Sequence, residues 1–383
     1  MSPSLLVLTA SHVDRITSSF QPAYLQSLMA DVFALVSSSS ATPTSYVPQR
    51  IVFPTENHQA LFMPSRICDM GTTIKVVSVP TRPGDLRGLP ASTIVLDKDT
   101  GGVKAIVNAR TLTALRNAAG SLLSTTLIGP SHPTHIVAFG AGQQILAHLD
   151  LHLKAFPSIQ SCTIINRSIN QRLKDMLSSL KSKHPNSGAV ESLQCLEWTA
   201  PEKANAEPEG TAADAVRKAL STASIIITAT SSRVPLFPSS WVPSGAHLIL
   251  IGSYTPEMRE VDKDLVMRAV NKGGSTEPRL LVDSVHACFE EAGELIDAGL
   301  KEDQMVEIGK VVVERRQSGK TLEHRTEVAM PEPDFKGPIT LFKSVGVGLQ
   351  DVAIACAVVD KADELRGAGE HDLGVLVEGY DEI

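Results

Sequence analysis

Four features of this 383-residue sequence point to chemistry beyond what ordinary folding requires. Lys75 interrupts the apolar run Thr72-Thr-Ile-Lys-Val-Val-Ser-Val79. A lysine rarely enters a core without a partner. On an edge strand it would face water. Inside a sheet, its amine would have a lowered pKa and could move a proton or bond a substrate carboxylate. Arg116 sits between Leu115 and Ala118 in an Ala- and Leu-rich segment. It either snorkels to solvent or presents a fork to a carboxylate. Arg50, in Pro48-Gln-Arg50, has the same two readings. The fourth is Gly140-Ala-Gly142-Gln143-Gln144, placed after the apolar residues Ile136 to Phe139 and before an amphipathic run.

That last arrangement reads as strand, glycine turn and helix start. The first glycine of such a unit makes the turn, and the second lets a pyrophosphate approach the backbone. The helix N-terminus adds free N–H groups and a partial positive charge. The strict pattern would have Gly or Ala at position 145, where this chain has Ile145. The acid that usually follows about 20 residues later, where it binds ribose hydroxyls, is missing. The corresponding strand ends in Asn166-Arg167-Ser168. Arg167 and Ser168 can hold an adenosine 2′-phosphate, which favours NADPH over NADH. The plain alternative is a solvated arginine at a strand end.

The elements that would position these residues fall into two groups. Before residue 127 the pattern predicts strands at 5–9, 46–53, 59–63, 72–79, 91–97 and 103–107. It predicts helices over 13–36 and 111–127. From 128 on, apolar strands alternate with helical stretches: strands at 136–139, 162–166, 193–198, 224–228, 247–251 and 279–282, helices at 171–181 and 212–220. Such alternation predicts a parallel, doubly wound sheet. Further helices are expected at 288–299 and 304–317, then a turn-rich linker at 331–338. A long apolar helix over 339–362 is expected to return to the first domain, and an acidic tail after 367 to fray. Residues 201–210 read as a polar surface loop. The expected fold is thus α/β: a Rossmann-type doubly wound domain (128–334) and a discontinuous α+β domain (1–127 with 335–383) completed by the C-terminal helix.

Composition narrows the function classes. Apolar residues make up 43% and charged residues 20%, as in an ordinary globular protein. A net charge of −7 and an aromatic content of 4% argue against a nucleic-acid or anionic-membrane surface. The N-terminal residues lack the basic segment of a signal peptide, so a cytoplasmic protein is expected. The five cysteines are scattered and form no CxxC, which suggests reduced thiols and no metal site.

Several segments, in order along nearly the whole chain, resemble the ornithine cyclodeaminase/mu-crystallin family. They are Pro48-Gln-Arg50, Met63-Pro64, Ile74-Lys-Val-Val-Ser-Val79, Thr113-Ala-Leu-Arg-Asn-Ala-Ala119, Gly140-Ala-Gly-Gln-Gln144, Asn166-Arg-Ser168, Ile251-Gly-Ser-Tyr-Thr-Pro-Glu-Met-Arg-Glu260 and Thr340-Leu-Phe-Lys-Ser-Val-Gly-Val-Gly-Leu-Gln-Asp351. Residues 184–212 match least and read as an insertion. The resemblance implies a homodimer whose discontinuous domain binds substrate and makes the subunit contact. It implies a middle domain that binds a nicotinamide cofactor. Arg50, Met63, Lys75 and Arg116 would surround the substrate carboxylate and the reacting carbon. Gly140, Ala141, Gly142, Gln143, Gln144, Asn166, Arg167, Ser168, Thr230, Gly252 and Ser253 would hold the cofactor.

The family includes ornithine cyclodeaminases, reductases of cyclic ketimines and alanine-type amino acid dehydrogenases. All pass a hydride between a nicotinamide and a carbon bearing nitrogen. The cyclodeaminases carry an aspartate in the loop after the fifth strand, where this chain has Tyr254. They also typically use NAD and carry an acid at the end of the second strand. Both departures favour an NADPH-dependent reductase of imines of α-keto acids, with Lys75, Arg116 and Tyr254 in the catalytic set. A cyclodeaminase, an amino acid dehydrogenase and a non-enzymatic NADPH-binding protein of the mu-crystallin type are the alternatives.

Overall fold

The computed structural model describes residues 4–38, 44–81, 89–200, 208–270, 278–322 and 334–380. The chain forms two compact units, Met1–Arg116 with Gly346–Ile383, and Asn117–Val345. The division falls inside the helix Leu112–Ile128 and after Val345. The sequence pattern alone puts the division at 127 and 335.

The first unit is built on one sheet. Its strands are β1 (Leu5–Leu8), β2 (Ser45–Tyr46), β3 (Ile51–Pro54), β4 (His58–Ile67), β5 (Gly71–Pro80), β6 (Ala91–Leu96), β7 (Val103–Asn108) and, from the far end of the chain, β16 (Val375–Val377). Their order is β16-β1-β7-β6-β5-β4-β2, with β3 also paired to β4. The long hairpin β4–β5 is antiparallel and sets Met63 opposite Lys75, while the β5–β6 pairing sets Lys75 opposite Thr93. Strand side chains alternate faces, so Thr73 and Lys75 share one face of β5. Thr73, Lys75, Thr93 and Ser65 are all buried. The helix Gly348–Gly367 packs against β4, β5 and β6. Its residues from Gly348 to Val359 are all buried, which explains an apolar composition with little amphipathic pattern.

Three expectations for this part of the chain are corrected. The helix over 13–36 is two helices, Ala10–Ser18 and Pro22–Val36. Pro22 lacks an N–H and disfavours helical backbone before it, so it starts a helix and cannot continue one. The single helix over 339–362 is a strand, Thr340–Lys343, followed by a turn at Gly346 and the helix Gly348–Gly367. A short apolar run carries no periodicity that separates a buried strand from a buried helix. The acidic tail contains β16, which pairs antiparallel with β1.

The second unit contains β8 (His135–Phe139), β9 (Ser161–Asn166), β10 (Gln194–Glu197), β11 (Ile225–Thr228), β12 (His247–Leu250), β13 (Leu280–Val282), β14 (Val306–Glu307) and β15 (Thr340–Lys343). They run in the order β10-β9-β8-β11-β12-β15-β13-β14, and each described pairing is parallel. The residues of β11, β12 and β13 are all buried, as a sheet covered on both faces requires. The chain winds outward from β8 to β10, then returns to β11 and winds the other way. The crevice between β8 and β11 is therefore the topological switch point, where open α/β sheets bind ligands.

The helix expected over 288–299 is broken into Val285–Glu291 and Gly293–Asp297, and that over 304–317 shortens to Ile308–Gln317 behind β14. Most of the polar loop expected at 201–210 and the start of the linker at 331–338 lie outside the described residues. Among the described residues no helix is long and apolar enough to cross a membrane.

Candidate active site

In the first unit, Lys75 and Arg116 converge on a residue that sequence reasoning missed. Lys75 Nζ donates to Asp351 Oδ2 at 2.5 Å, and Arg116 Nε donates to Asp351 Oδ1 at 3.1 Å. Arg116 Nη1 also donates to Gln350 Oε1 at 2.6 Å. Lys75, Arg116, Gln350 and Asp351 are all at most 3% exposed. Asp351 and Gln350 occupy the first turn of the helix Gly348–Gly367, where the macrodipole favours a negative charge. Gly346 has φ +92°, and a Cβ there would meet Arg116 Nη1 at 2.9 Å. The turn thus needs glycine both for its backbone and for the arginine lying against it.

Burying three charges together is costly unless each is compensated. Burial, the largest influence, pushes the Lys75 amine below its usual pKa of 10.5, and the charges of Arg116 and Arg50 push it the same way against the pull of Asp351. Burial alone would raise the Asp351 carboxyl, but Arg116 and Lys75 together hold it below its ordinary value. The result is a carboxylate locked between two cations and an amine that releases its proton more readily than a surface lysine. Arg50 is half-buried and acts on Lys75 through its charge. Met63 is half-buried beside Lys75 across the β4–β5 ladder.

In the second unit the glycine turn is formed as expected. Gly140 has φ +119°, and its N–H donates to Ile165 O at 2.9 Å. A Cβ at Gly140 would meet Ala229 O at 3.1 Å, so the turn after β8 abuts the loop after β11. Gly142 is the N-cap of the helix Gln143–Ala155 and offers no side-chain cap. The first-turn N–H groups are therefore open to another acceptor. Among the described residues, buried Gln144 Oε1 has no hydrogen-bond partner. At the end of β9, Asn166 Nδ2 donates to Ser168 O at 2.8 Å, while Arg167 and Ser168 are exposed.

Thr230, Gly252 and Ser253 are brought together by acids and a lysine that the sequence reading did not single out. Glu260 Oε1 accepts from Thr230 N (2.6 Å) and Thr230 Oγ1 (2.8 Å); its Oε2 accepts from Gly252 N (2.7 Å) and Thr228 Oγ1 (2.8 Å). Lys343 Nζ donates to Ser253 O at 2.5 Å and pairs with Glu294 Oε1 at 2.9 Å, and Ser253 Oγ donates to Glu294. Burial raises the Glu260 carboxyl, with Lys343 opposing and Glu294 adding to the rise. Burial would lower Lys343, but Glu294 and Glu260 lift it above its usual value. Lys343, like Lys75, interrupts an apolar run, but with 339–362 read as a helix it carries no strand signal; the structure places it at the end of β15. Tyr254 lies next to this cluster in the chain and is 41% exposed.

A doubly wound parallel sheet with an uncapped glycine turn at its switch point defines a Rossmann-type α/β protein. The chain belongs to the Ornithine cyclodeaminase/mu-crystallin family, whose profile matches residues 6–195 and 194–366. An uncharacterized cyclodeaminase of Dictyostelium discoideum is 29% identical over 349 residues, 82% of this chain and 87% of the relative. The ketimine reductase mu-crystallin of Rattus norvegicus is 27% identical over 270 residues, 70% and 69% of the two chains. The iminosuccinate reductase of Paracoccus denitrificans is 31% identical over 289 residues, 74% of each. The solved structure of Thermococcus litoralis Delta(1)-pyrroline-2-carboxylate reductase in complex with NADH and L-proline shares the fold, with a TM-score of 0.73 at 22% identity over 97% of this chain and 99% of that one.

Proposed function

We propose that this protein is an NADPH-dependent reductase of imines of α-keto acids, cyclic ketimines included. The observation that carries the reading is Lys75: a buried amine of lowered pKa, paired to Asp351, in a family of enzymes acting at carbon–nitrogen bonds. Relatives named ketimine reductase and iminosuccinate reductase support the same reading.

The second unit fits a dinucleotide. Gly142 leaves the N-terminus of its helix uncapped, and Gln144 Oε1 is a buried acceptor that a cofactor donor would satisfy. Gly140 to Gln144 would cradle the pyrophosphate, and Thr230, Gly252 and Ser253, tied down by Glu260 and Lys343, would border the nicotinamide. The nicotinamide supplies the hydride. The absence of an acid after β9, with Arg167 and Ser168 in its place, supports NADPH.

The chain's own contribution is charge and proton placement. Arg50 and Arg116 would pair with the substrate carboxylate. Lys75 would give a proton to the imine nitrogen, since a protonated C=N is the better electrophile. Asp351 keeps Lys75 and Arg116 in place and compensates their charge. The amine product carries the added proton on nitrogen, and Lys75 recovers its own from water. Tyr254 lacks the negative charge that would hold a substrate's side-chain ammonium, which favours this reading over ornithine cyclisation.

A homodimer is proposed on the same footing. Edge strands β2 and β3 and their linker expose Tyr46, Val47, Ile51, Val52 and Phe53, an apolar strip that a second copy would cover.

The test is loss of NADPH absorbance, with NADH in parallel, against five- and six-membered cyclic imine carboxylates, pyruvate plus methylamine, and ornithine. Rapid NADPH oxidation with an imine, lost in Lys75→Ala, is the expected result. Ammonia release from ornithine with NAD, and silence with every imine, would replace the reading with a cyclodeaminase. Tight NADPH binding without turnover would make it a binding protein.

A further inference from the structure

We infer that Arg172 is a specificity-determining residue of the cofactor site, and that it holds the adenosine 2′-phosphate of NADPH together with Arg167. The inference rests on the NADPH reading above and names a residue that the glycine motif does not contain. Arg172 is the second residue of the helix Gln171–Lys183, which follows β9. Its guanidinium reaches back onto the glycine turn: a Cβ built on Gly142 would lie 2.9 Å from Arg172 Nη2 and 3.8 Å from Cζ. One arginine therefore leaves the end of β9 and a second lies against the turn after β8. A phosphate on the ribose of a dinucleotide seated on that turn would sit between them.

The local charge pattern points the same way. Among the described residues, neither the Arg167 nor the Arg172 guanidinium has a hydrogen bond or a carboxylate partner, and both residues are exposed. The neighbouring acids are engaged elsewhere. Asp175 accepts from Gln171 Nε2 at 2.8 Å, and Glu197 accepts from Ile169 N at 2.7 Å. Asn170 is spent on the helix start, accepting from Leu173 N at 3.1 Å. Asn166, where an acid would bind ribose hydroxyls, is turned onto Ser168 O. What remains at this lip is two cationic forks beside an uncapped helix N-terminus, a setting suited to a dianion.

The experiment measures dissociation constants of NADPH, NADH, adenosine 2′,5′-bisphosphate and 5′-AMP for the full-length wild type, Arg172→Ala, Arg172→Lys and Arg167→Ala. Arg172→Ala is expected to weaken NADPH and the bisphosphate by about tenfold or more, as loss of a charge-assisted pair should. NADH and 5′-AMP should stay within about twofold, and Arg172→Lys should recover part of the loss. Equal weakening of NADPH and NADH would overturn the inference by placing Arg172 on the pyrophosphate. No change in any ligand would overturn it by making Arg172 a solvated side chain. A wild type with no preference for the 2′-phosphorylated ligands would instead remove the NADPH reading itself. That outcome is seen before any variant is compared.

Discussion

Lys75 Nζ and Asp351 Oδ2 are 2.5 Å apart and almost fully buried, although the two residues are separated by most of the chain. The strand β5 brings one and the returning helix Gly348–Gly367 brings the other. Asp351 serves two cations at once, so its removal leaves Lys75 and Arg116 facing each other without a counter-charge. Asp351→Asn is expected to destabilise the first unit by roughly 3–5 kcal/mol, the usual cost of breaking a buried pair. In the double variant Lys75→Met/Asp351→Asn part of that loss should return, because one of the stranded cations is gone. Chemical denaturation followed by far-UV circular dichroism measures both. Simple additivity of the two substitutions would show that Lys75 and Asp351 do not interact.

Lys75→Met keeps the length of the side chain and leaves Asp351 paired with Arg116. The fold should survive, with imine reduction falling by about 100-fold or more, the typical contribution of a positioned proton donor. The pH profile gives a second readout. The Lys75 pKa is lowered from 10.5, so the wild-type rate should decline at a pH below that value as the amine loses its proton. The same limb should vanish in Lys75→Met. A residual rate above a tenth of wild type would remove Lys75 from the chemistry.

How much of this was legible in the sequence depends on how each residue announces itself. Lys75 stood out because a charge inside an apolar strand is anomalous whatever surrounds it. The parallel sheet was legible because strands buried on both faces are continuous apolar runs at regular intervals. Asp351 was hidden by a wrong element: with 339–362 read as one helix, the acid fell mid-helix, where it looks like a solvated charge. The structure ends β15 at Lys343 and restarts the chain at Gly348, which puts Asp351 in a first turn. Glu260 and Glu294 gave no signal because acids in loops and short helices are usually solvated. Only the tertiary fold encloses them.

The carboxylate of Glu260 joins the loops after β11 and β12 through four donors, two of them backbone N–H groups. Glu260→Ala would leave these donors buried without an acceptor, at about 1–3 kcal/mol for each that water cannot reach. The expected loss of stability is about 3 kcal/mol or more, and cofactor affinity should fall with it. Glu260→Gln keeps one acceptor oxygen and should recover part of both. Thermal melts with and without NADPH separate the two effects. Unchanged cofactor affinity in Glu260→Ala would mean that these loops do not border the cofactor.

Three buried histidines make the second unit acid-sensitive. His148 is pushed down to about 3, His152 to about 4 and His247 to about 3, in each case chiefly by burial. Each is held neutral by hydroxyl and carbonyl groups: His148 by Ser121 Oγ and Gln144 O, His152 by Thr125 Oγ1 and His148 O, His247 by Ser124 Oγ and Thr340 Oγ1. The folded values lie below the ordinary 6.5, so below that pH the unfolded chain binds protons that the folded chain does not. Stability is full above pH 6.5 and is lost as the pH falls toward the folded values. The slope is about 1.4 kcal/mol per pH unit for each histidine. The chain has two tryptophans, Trp198 and Trp241, both in the second unit, so their fluorescence in urea reports this unit alone. Its midpoint should drop clearly between pH 7.5 and pH 5, and less so in His247→Gln. A flat midpoint would contradict the neutral assignment.

The choice between imine reduction and cyclisation turns on one side chain. Tyr254 is 41% exposed in the loop after β12, so a change there should leave the fold intact. A carboxylate at this position would attract the side-chain ammonium of a diamino acid, a pairing that neutral tyrosine cannot offer. Tyr254→Asp is therefore expected to gain ammonia release from ornithine, from a wild-type level near zero. Tyr254→Asn, which adds polarity without charge, should not. The two variants should differ in KM for ornithine but not in KM for a cyclic imine, which has no side-chain ammonium to bind. Ornithine turnover by the wild type equal to that of Tyr254→Asp would show that another group already supplies the charge. The assignment of this chain to the reductases would then lose its residue-level basis.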